Sequence, residues 1–175
     1  MQLLDTPPCD PFIKGEHPVV VIRLFSYQSD IKIELDPSAA PITVANFLML
    51  AQQGFYDGLK FHRLAPGFIV QGGCPLGTGD GETEFYLKGE FSSNGVDNPI
   101  QHKKGVISMA RQDDPDTASC QFYIMLADAP FLDGQYAAFG HVIEGMDVLE
   151  SIERCQADAW ERPLAPLIMT RVYVE

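Results

Sequence analysis

Most stretches of this sequence with reactive side chains fail on spacing. Gly77-Thr78-Gly79-Asp80-Gly81 is the most glycine-rich run. A phosphate loop would need Gly-Lys and then Ser or Thr at the start of a helix, so the run reads as a surface turn. Asp113, Asp114 and Asp116 offer carboxylates, but the central glycine and distal glutamate of a calcium loop do not fall correctly. The histidines are His17, His62, His102 and His141. None lies in a nucleophile motif such as Gly-x-Ser-x-Gly, and covalent catalysis needs a nucleophile, a base and an orienting group. Cys9, Cys74, Cys120 and Cys155 form no Cys-x-x-Cys and no Cys/His pair at zinc spacing. No metal site and no cofactor is expected. What remains is Phe61-His62-Arg63-Leu64-Ala65-Pro66-Gly67-Phe68-Ile69-Val70-Gln71-Gly72-Gly73, with Arg63 as its one arginine.

Those residues need elements to hold them. Residues 19–25 are a dense β-branched and apolar run, which reads as a strand. Ile31, Ile33 and Leu35 alternate with Lys32 and Glu34, the period of a half-buried strand, and Ser29-Asp30 supplies a hairpin turn. Pro41 suits a first helical position. Val44, Phe47, Leu48 and Ala51 then share one helix face, and Gly54 ends it. Short strands follow at 61–64, 68–71, 106–110, 121–126 and 138–143, separated by Gly, Pro, Asn and Asp clusters. Within them Ile69 and Gln71 share a face, as do Gln121 and Tyr123, which leaves Phe122, Ile124 and Leu126 for the interior. Met146, Leu149 and Ile152 mark a second short helix, and Ile168, Thr170, Val172 and Val174 alternate in a last strand. Many short strands suggest an antiparallel barrel or sandwich, and two helices are too few for a parallel sheet with crossovers. The pattern alone predicts a mainly β, closed domain with two helices.

The chain has 175 residues, 46% hydrophobic and 21% charged, which suits one ordered domain. Residues 1–16, with Pro7, Pro8 and Pro11, read as an extended leader ahead of a domain over 17–175. The leader lacks the basic start and apolar stretch of a signal peptide. No apolar run approaches the ~18 residues of a membrane helix. Net charge is −12, from 24 acidic against 12 basic residues. That balance opposes binding to phosphate backbones or acidic membrane surfaces, so neither nucleic acid nor membrane is an expected partner. The expected compartment is the cytoplasm, where the four cysteines would be free thiols.

The segment from Phe61 to Gly73 resembles the cyclophilin family of peptidyl-prolyl cis–trans isomerases, which carries a Phe-His-Arg start, a Pro-Gly-Phe turn and a Gln-Gly-Gly end at this spacing. Gly105-Val106-Ile107-Ser108-Met109-Ala110, followed by Ser119-Cys120-Gln121-Phe122-Tyr123-Ile124, is a second match. Phe131-Leu132-Asp133-Gly134, leading to Ala138-Phe139-Gly140-His141-Val142-Ile143-Glu144-Gly145-Met146, is a third. The three together span roughly residues 18–174. The resemblance implies a closed eight-stranded antiparallel β-barrel capped by two α-helices. It implies Arg63 as the catalytic residue, and a substrate groove of Phe68, Ile69, Gln71, Ala110, Arg111, Gln121, Tyr123, Phe131, Leu132 and Tyr136. There are departures. Well-known members have tryptophan at Phe131 and histidine at Tyr136, and eukaryotic forms often have asparagine at Arg111. Prokaryotic-type members look more like this chain. The loop 111–120 is one residue longer than in the eukaryotic forms.

The implied reaction is rotation about an X–Pro peptide bond, whose barrier of ~18–20 kcal/mol comes from amide resonance. No covalent bond breaks, so no nucleophile, metal or redox group is called for. The implied partners are proline-containing peptides and unfolded or folding proteins. The cyclic peptide cyclosporin is implied as an inhibitor, bound more weakly here because Phe131 lacks the indole N–H. A groove of this kind could also hold Pro-containing segments with little turnover, as a binding module or chaperone; the presence of Arg63 favours the enzyme.

Overall fold

The structure, a computed structural model, describes residues 1–175. The hairpin at its start follows from alternation. Strands β2 (Val19–Leu24) and β3 (Ile31–Leu35) pair antiparallel with Val20 opposite Ile33 and Ile22 opposite Ile31, and all four side chains are fully buried. After β1 (Gln2–Leu4) and this hairpin come α1 (Pro41–Gln52), β4 (Lys60–Ala65), β5 (Ile69–Gly72), β6 (Phe85–Leu87), β7 (Val106–Met109), β8 (Phe122–Met125), β9 (Ala138–Glu144), α2 (Met146–Glu153) and β10 (Leu167–Val174). Eight strands close a barrel in the order β10-β2-β3-β9-β7-β8-β5-β4, every neighbouring pair antiparallel. The expected fold class is the observed one, and closure leaves the barrel no free edge.

The barrel is filled by aromatics. Phe47 of α1 packs against Phe122 and Phe139 with ring centroids 5.3 Å from each, and against Tyr56 at 5.1 Å. Val148, Leu149 and Ile152 of α2 join the same core. Helix α1 was expected to bury one face; it buries most of its circumference, from Ile42 to Ala51. The leader helps to cover it, since the Cys9 thiol lies 3.4 Å from the Ala45 carbonyl. The first turn of α1 is capped from a distance. Glu90, almost completely buried, accepts the N–H of Ile42 at 2.9 Å, the N–H of Thr43 at 2.8 Å and the Thr43 hydroxyl at 2.7 Å. These bonds satisfy helix-start donors that no local side chain reaches.

Two elements differ from expectation. The last strand does not alternate as 168, 170, 172, 174. Leu167 and Met169 point into the core, Ile168 and Thr170 do not, and a bulge between Met169 and Arg171 shifts the parity so that Val172 is inside again. One extra residue on one strand reverses every face after it. The segment 1–16 also contains a strand, since β1 pairs in parallel with β6, Gln2 opposite Phe85 and Leu4 opposite Leu87.

Candidate active site

A regular β4 would put Phe61 and Arg63 on one face. The strand is not regular. Phe61 sits opposite Gly72, while Arg63 sits opposite Gln71, so His62 is the extra residue of a bulge. Bulges re-aim side chains. Phe61 therefore enters the barrel core, and Arg63 shares the outer face with Gln71. Gly72 permits the close approach at this point, because a Cβ there would stand 2.8 Å from the Phe61 ring.

On that outer face a second apolar cluster forms from Ala65, Ile69, Val106, Tyr123, Met125, Ala129, Leu132 and Ala138. Ladder register explains it, since Ile69 lies opposite Met125, Gln71 opposite Tyr123, and Tyr123 opposite Ser108. The turn at Pro130–Leu132 closes over the cluster. Between them is a cleft of about 360 Å³ lined by Arg63, Phe68, Ile69, Gln71, Ala110, Arg111, Tyr123, Phe131, Leu132 and Tyr136. Ten of the eleven expected site residues meet in it. Gln121 does not line it. It stands alongside, accepting from Gln71 Nε2 at 3.1 Å and donating to the carbonyls of Gly79 and Gly81. There it borders a polar recess of about 290 Å³ with Asp80, Glu82, Gln112, Thr117 and Ser119.

The walls are held in different ways. Phe68 and Phe131 stack with centroids 5.8 Å apart, and Tyr123 meets Tyr136 edge-on at 6.0 Å. Arg111 lies over the Tyr136 ring at 4.6 Å, and its guanidinium donates to the carbonyls of Gln112, Asp113 and Gln135. Arg111 is therefore committed to shaping the wall. Arg63 is not: it donates to Gln71 Oε1 at 3.5 Å and to Glu161 Oε1 at 3.2 Å, engaging two of its five N–H donors.

Several participants were not anticipated. Glu161 reaches Arg63 from a loop tied to β4 by the Leu64 N–H to Glu161 carbonyl bond at 2.7 Å. Nothing in the spacing of residues 98 positions apart announces this contact. His102, Ser108 and Asp133 lie beneath the cleft. Ser108 could have been placed by parity, being opposite Tyr123 in the ladder. His62 stands half-buried on the bulge, with Nδ1 buried and unpartnered. Burial first, then the charges of Lys60, Arg162 and Arg63, push its pKa down to about 4. It stays neutral at neutral pH. The Gly77–Gly81 turn is fastened by Cys74, whose sulfur accepts the N–H groups of Gly79 and Gly81. Asp116 likewise serves as a local acceptor, for Gly89 N–H and Asn94. All four cysteines are unpaired.

Residues 20–174 match the family described as cyclophilin type peptidyl-prolyl cis-trans isomerase. The chain belongs to the cyclophilin family. It is 42% identical over 147 residues to a Schizosaccharomyces pombe peptidyl-prolyl cis-trans isomerase, covering 83% of this chain and 93% of that one. It is 46% identical over 122 residues to Bacillus subtilis peptidyl-prolyl cis-trans isomerase B, covering 70% of this chain and 82% of the relative. A crystal structure of a Cryptosporidium parvum cyclophilin, determined in the presence of the dipeptide Ala-Pro, superposes with a TM-score of 0.82 at 32% identity, over 90% of this chain and 98% of that one. In this cyclophilin, then, a partly engaged guanidinium borders an apolar slot, with amides beside it and a polar recess beyond.

Proposed function

We propose that this cyclophilin catalyses cis–trans rotation about X–Pro bonds in peptides and in folding proteins, with Arg63 as its catalytic residue. The observation that carries the reading is Arg63 itself. Glu161 and Gln71 hold its guanidinium at the edge of the apolar slot, and N–H donors remain free.

The chemistry follows from the substrate. A proline ring entering between Phe68, Tyr123 and Leu132 loses water from its methylenes, worth about 2 kcal/mol for three of them at the usual 0.8 each. As the peptide bond twists, the proline nitrogen loses resonance and regains a lone pair. An Arg63 N–H aimed at that nitrogen binds the twisted state better than the planar one, and only such a difference accelerates the step. Each ~1.4 kcal/mol of difference is tenfold in rate. Arginine suits the role because it stays charged across all working pH values. Gln71 would hold the peptide backbone next to the slot. The relative solved in the presence of Ala-Pro supports a proline-containing ligand. Residues 17–175 would act as the isomerase domain, with 1–16 as a docked leader. A reducing compartment, the cytoplasm, is part of the reading, supported by four unpaired cysteines.

The test is a protease-coupled isomerisation assay on an Ala-Pro peptide with the native chain and with folded Arg63→Ala. Acceleration by the native chain, lowered tenfold or more in the variant, is expected. Equal activity of the two would remove Arg63 from the mechanism. Peptide binding without acceleration would make the groove a holder of Pro-containing segments.

A further inference from the structure

Beneath the slot lies a polar cluster whose imidazole and serine hydroxyl are sealed from solvent, while its carboxylate, on Asp133, is 30% exposed. His102 is 1% exposed and Ser108 0%. Both imidazole nitrogens are engaged. Nδ1 lies 3.0 Å from Asp133 Oδ1; Nε2 lies 2.9 Å from Ser108 Oγ and 3.3 Å from Tyr123 Oη. The same Asp133 oxygen accepts the His102 backbone N–H at 2.6 Å, and the His102 carbonyl accepts from Ala129 N–H at 2.8 Å. The His102 and Tyr123 rings are near-parallel, 6.2 Å apart.

Asp, His and Ser joined in this order would be a nucleophile's activating chain at a surface. Here Ser108 is sealed in β7 and no acyl group can approach its oxygen, so the cluster's chemistry is that of holding. An ionised carboxylate only accepts, so Asp133 accepts a hydrogen bond from Nδ1–H, and the proton stays on the ring. That leaves one lone pair, on Nε2, for the hydroxyls of Ser108 and Tyr123. Burial keeps the imidazole neutral by lowering its pKa, against the opposing hydrogen bond and charge of Asp133. Each partner belongs to a different wall. Asp133 follows Leu132 at the end of the Pro130–Leu132 turn. Ser108 is two residues before Ala110. Tyr123 stands opposite Gln71, next to Arg63's partner.

We propose that His102 is a positioning residue for the proline slot, and that its Nδ1–H tautomer sets the placement of the Leu132, Ala110 and Tyr123 walls relative to Arg63. The proposal rests on the isomerase reading and deepens it. Three walls tied to one ring cannot drift separately, and misplacement of about 1 Å at a reacting centre can lower rates as much as a hundredfold.

Two measurements test it. In the native chain, nitrogen-15 NMR of the imidazole should show Nδ1 protonated and Nε2 bare at neutral pH; the opposite tautomer overturns the proposal. In kinetics, His102→Asn keeps a donor for Asp133 but cannot reach Ser108 or Tyr123. Folded His102→Asn should lose about tenfold in kcat while KM changes less than about threefold, because the apolar surface remains and only its aim is lost. A purely structural His102 would lower Tm and leave kcat of the folded molecules unchanged, and that result overturns the proposal. If His102→Asn does not fold, Ser108→Ala serves instead: kcat about threefold lower supports the proposal, and unchanged kcat overturns it. The native chain and Arg63→Ala are run alongside. No acceleration by the native chain defeats the isomerase reading. Acceleration that is lost in Arg63→Ala but kept in the cluster variant defeats the positioning role alone.

Discussion

Arg63 and Glu161 are joined at 3.2 Å, and Glu161 makes the contact from a left-handed backbone conformation, φ 63°. A non-glycine side chain there costs roughly 1–2 kcal/mol. The turn is held by Asp158, whose carboxylate accepts the N–H groups of Trp160 and Arg162 at 2.9 Å each. As a surface ion pair the contact would be worth little, since both side chains are well exposed, 38% and 41%. Its value lies in where it holds the guanidinium. Glu161→Gly relieves the backbone and removes the carboxylate. Thermal unfolding should show stability unchanged or higher by about 1 kcal/mol, while kcat falls roughly three- to tenfold. Lost stability with kcat intact would make the pair structural.

Glu90 is the buried counterpart. Burial raises its pKa, while its bonds to Ile42 and Thr43 oppose the shift. Glu90→Ala leaves three donors of the α1 first turn without partners. Urea unfolding should report a loss of about 2–4 kcal/mol. Glu90→Gln, which keeps one acceptor oxygen, should lose about half as much. Neither change should alter the turnover of folded molecules, because the Glu90 carboxylate is bonded to the first turn of α1 and does not line the slot.

The barrel strands are legible because their inward residues alternate, as at Ile31, Ile33 and Leu35, and the helices because Pro41 and the 146, 149, 152 spacing mark them. The C-terminal strand misleads because a bulge at Thr170 leaves no mark in residue type. The bulge at His62 is equally silent, and only the family resemblance placed Arg63 in the groove. Strand β6 is too short, at three residues, for alternation to show, and β1 depends on it for pairing. Glu161, Glu90 and His102 act through contacts far apart in sequence. Periodicity reports local geometry, so such contacts escape it.

His62 predicts a pH dependence. Its folded pKa, about 4, lies below the ordinary 6.5. The unfolded chain therefore binds the proton more readily, and stability is lost as pH falls from about 6.5 through about 4. Glu90, with a raised pKa, pulls in the opposite sense, so the difference between native and variant chains is the informative quantity. His62→Gln should flatten the fall in Tm across that window. Parallel Tm curves for the two chains would show that His62 is not the titrating group.

Phe131 predicts the response to cyclosporin. It is 69% exposed, on the rim of the slot, and stacked on Phe68. The family resemblance puts a tryptophan here in sensitive members, whose indole N–H donates to the inhibitor. Phe131 keeps a flat apolar ring and has no donor. A missing hydrogen bond costs ~0.5–1.5 kcal/mol, more if the inhibitor's acceptor is left dry, so affinity should be weaker by roughly tenfold. Turnover should change less, because the proline ring needs apolar surface and Phe131 supplies it. Tyr136 is held by Arg111 on one side and Tyr123 on the other, so that wall should stay in place when position 131 changes. Titrating cyclosporin against the native chain and Phe131→Trp, with turnover measured on both, separates the two effects. Tighter inhibition of Phe131→Trp with turnover within about twofold is the expected pair of results. No gain in inhibition would mean that the donor at position 131 does not face the inhibitor. A large fall in turnover would mean that Phe131 grips the substrate itself.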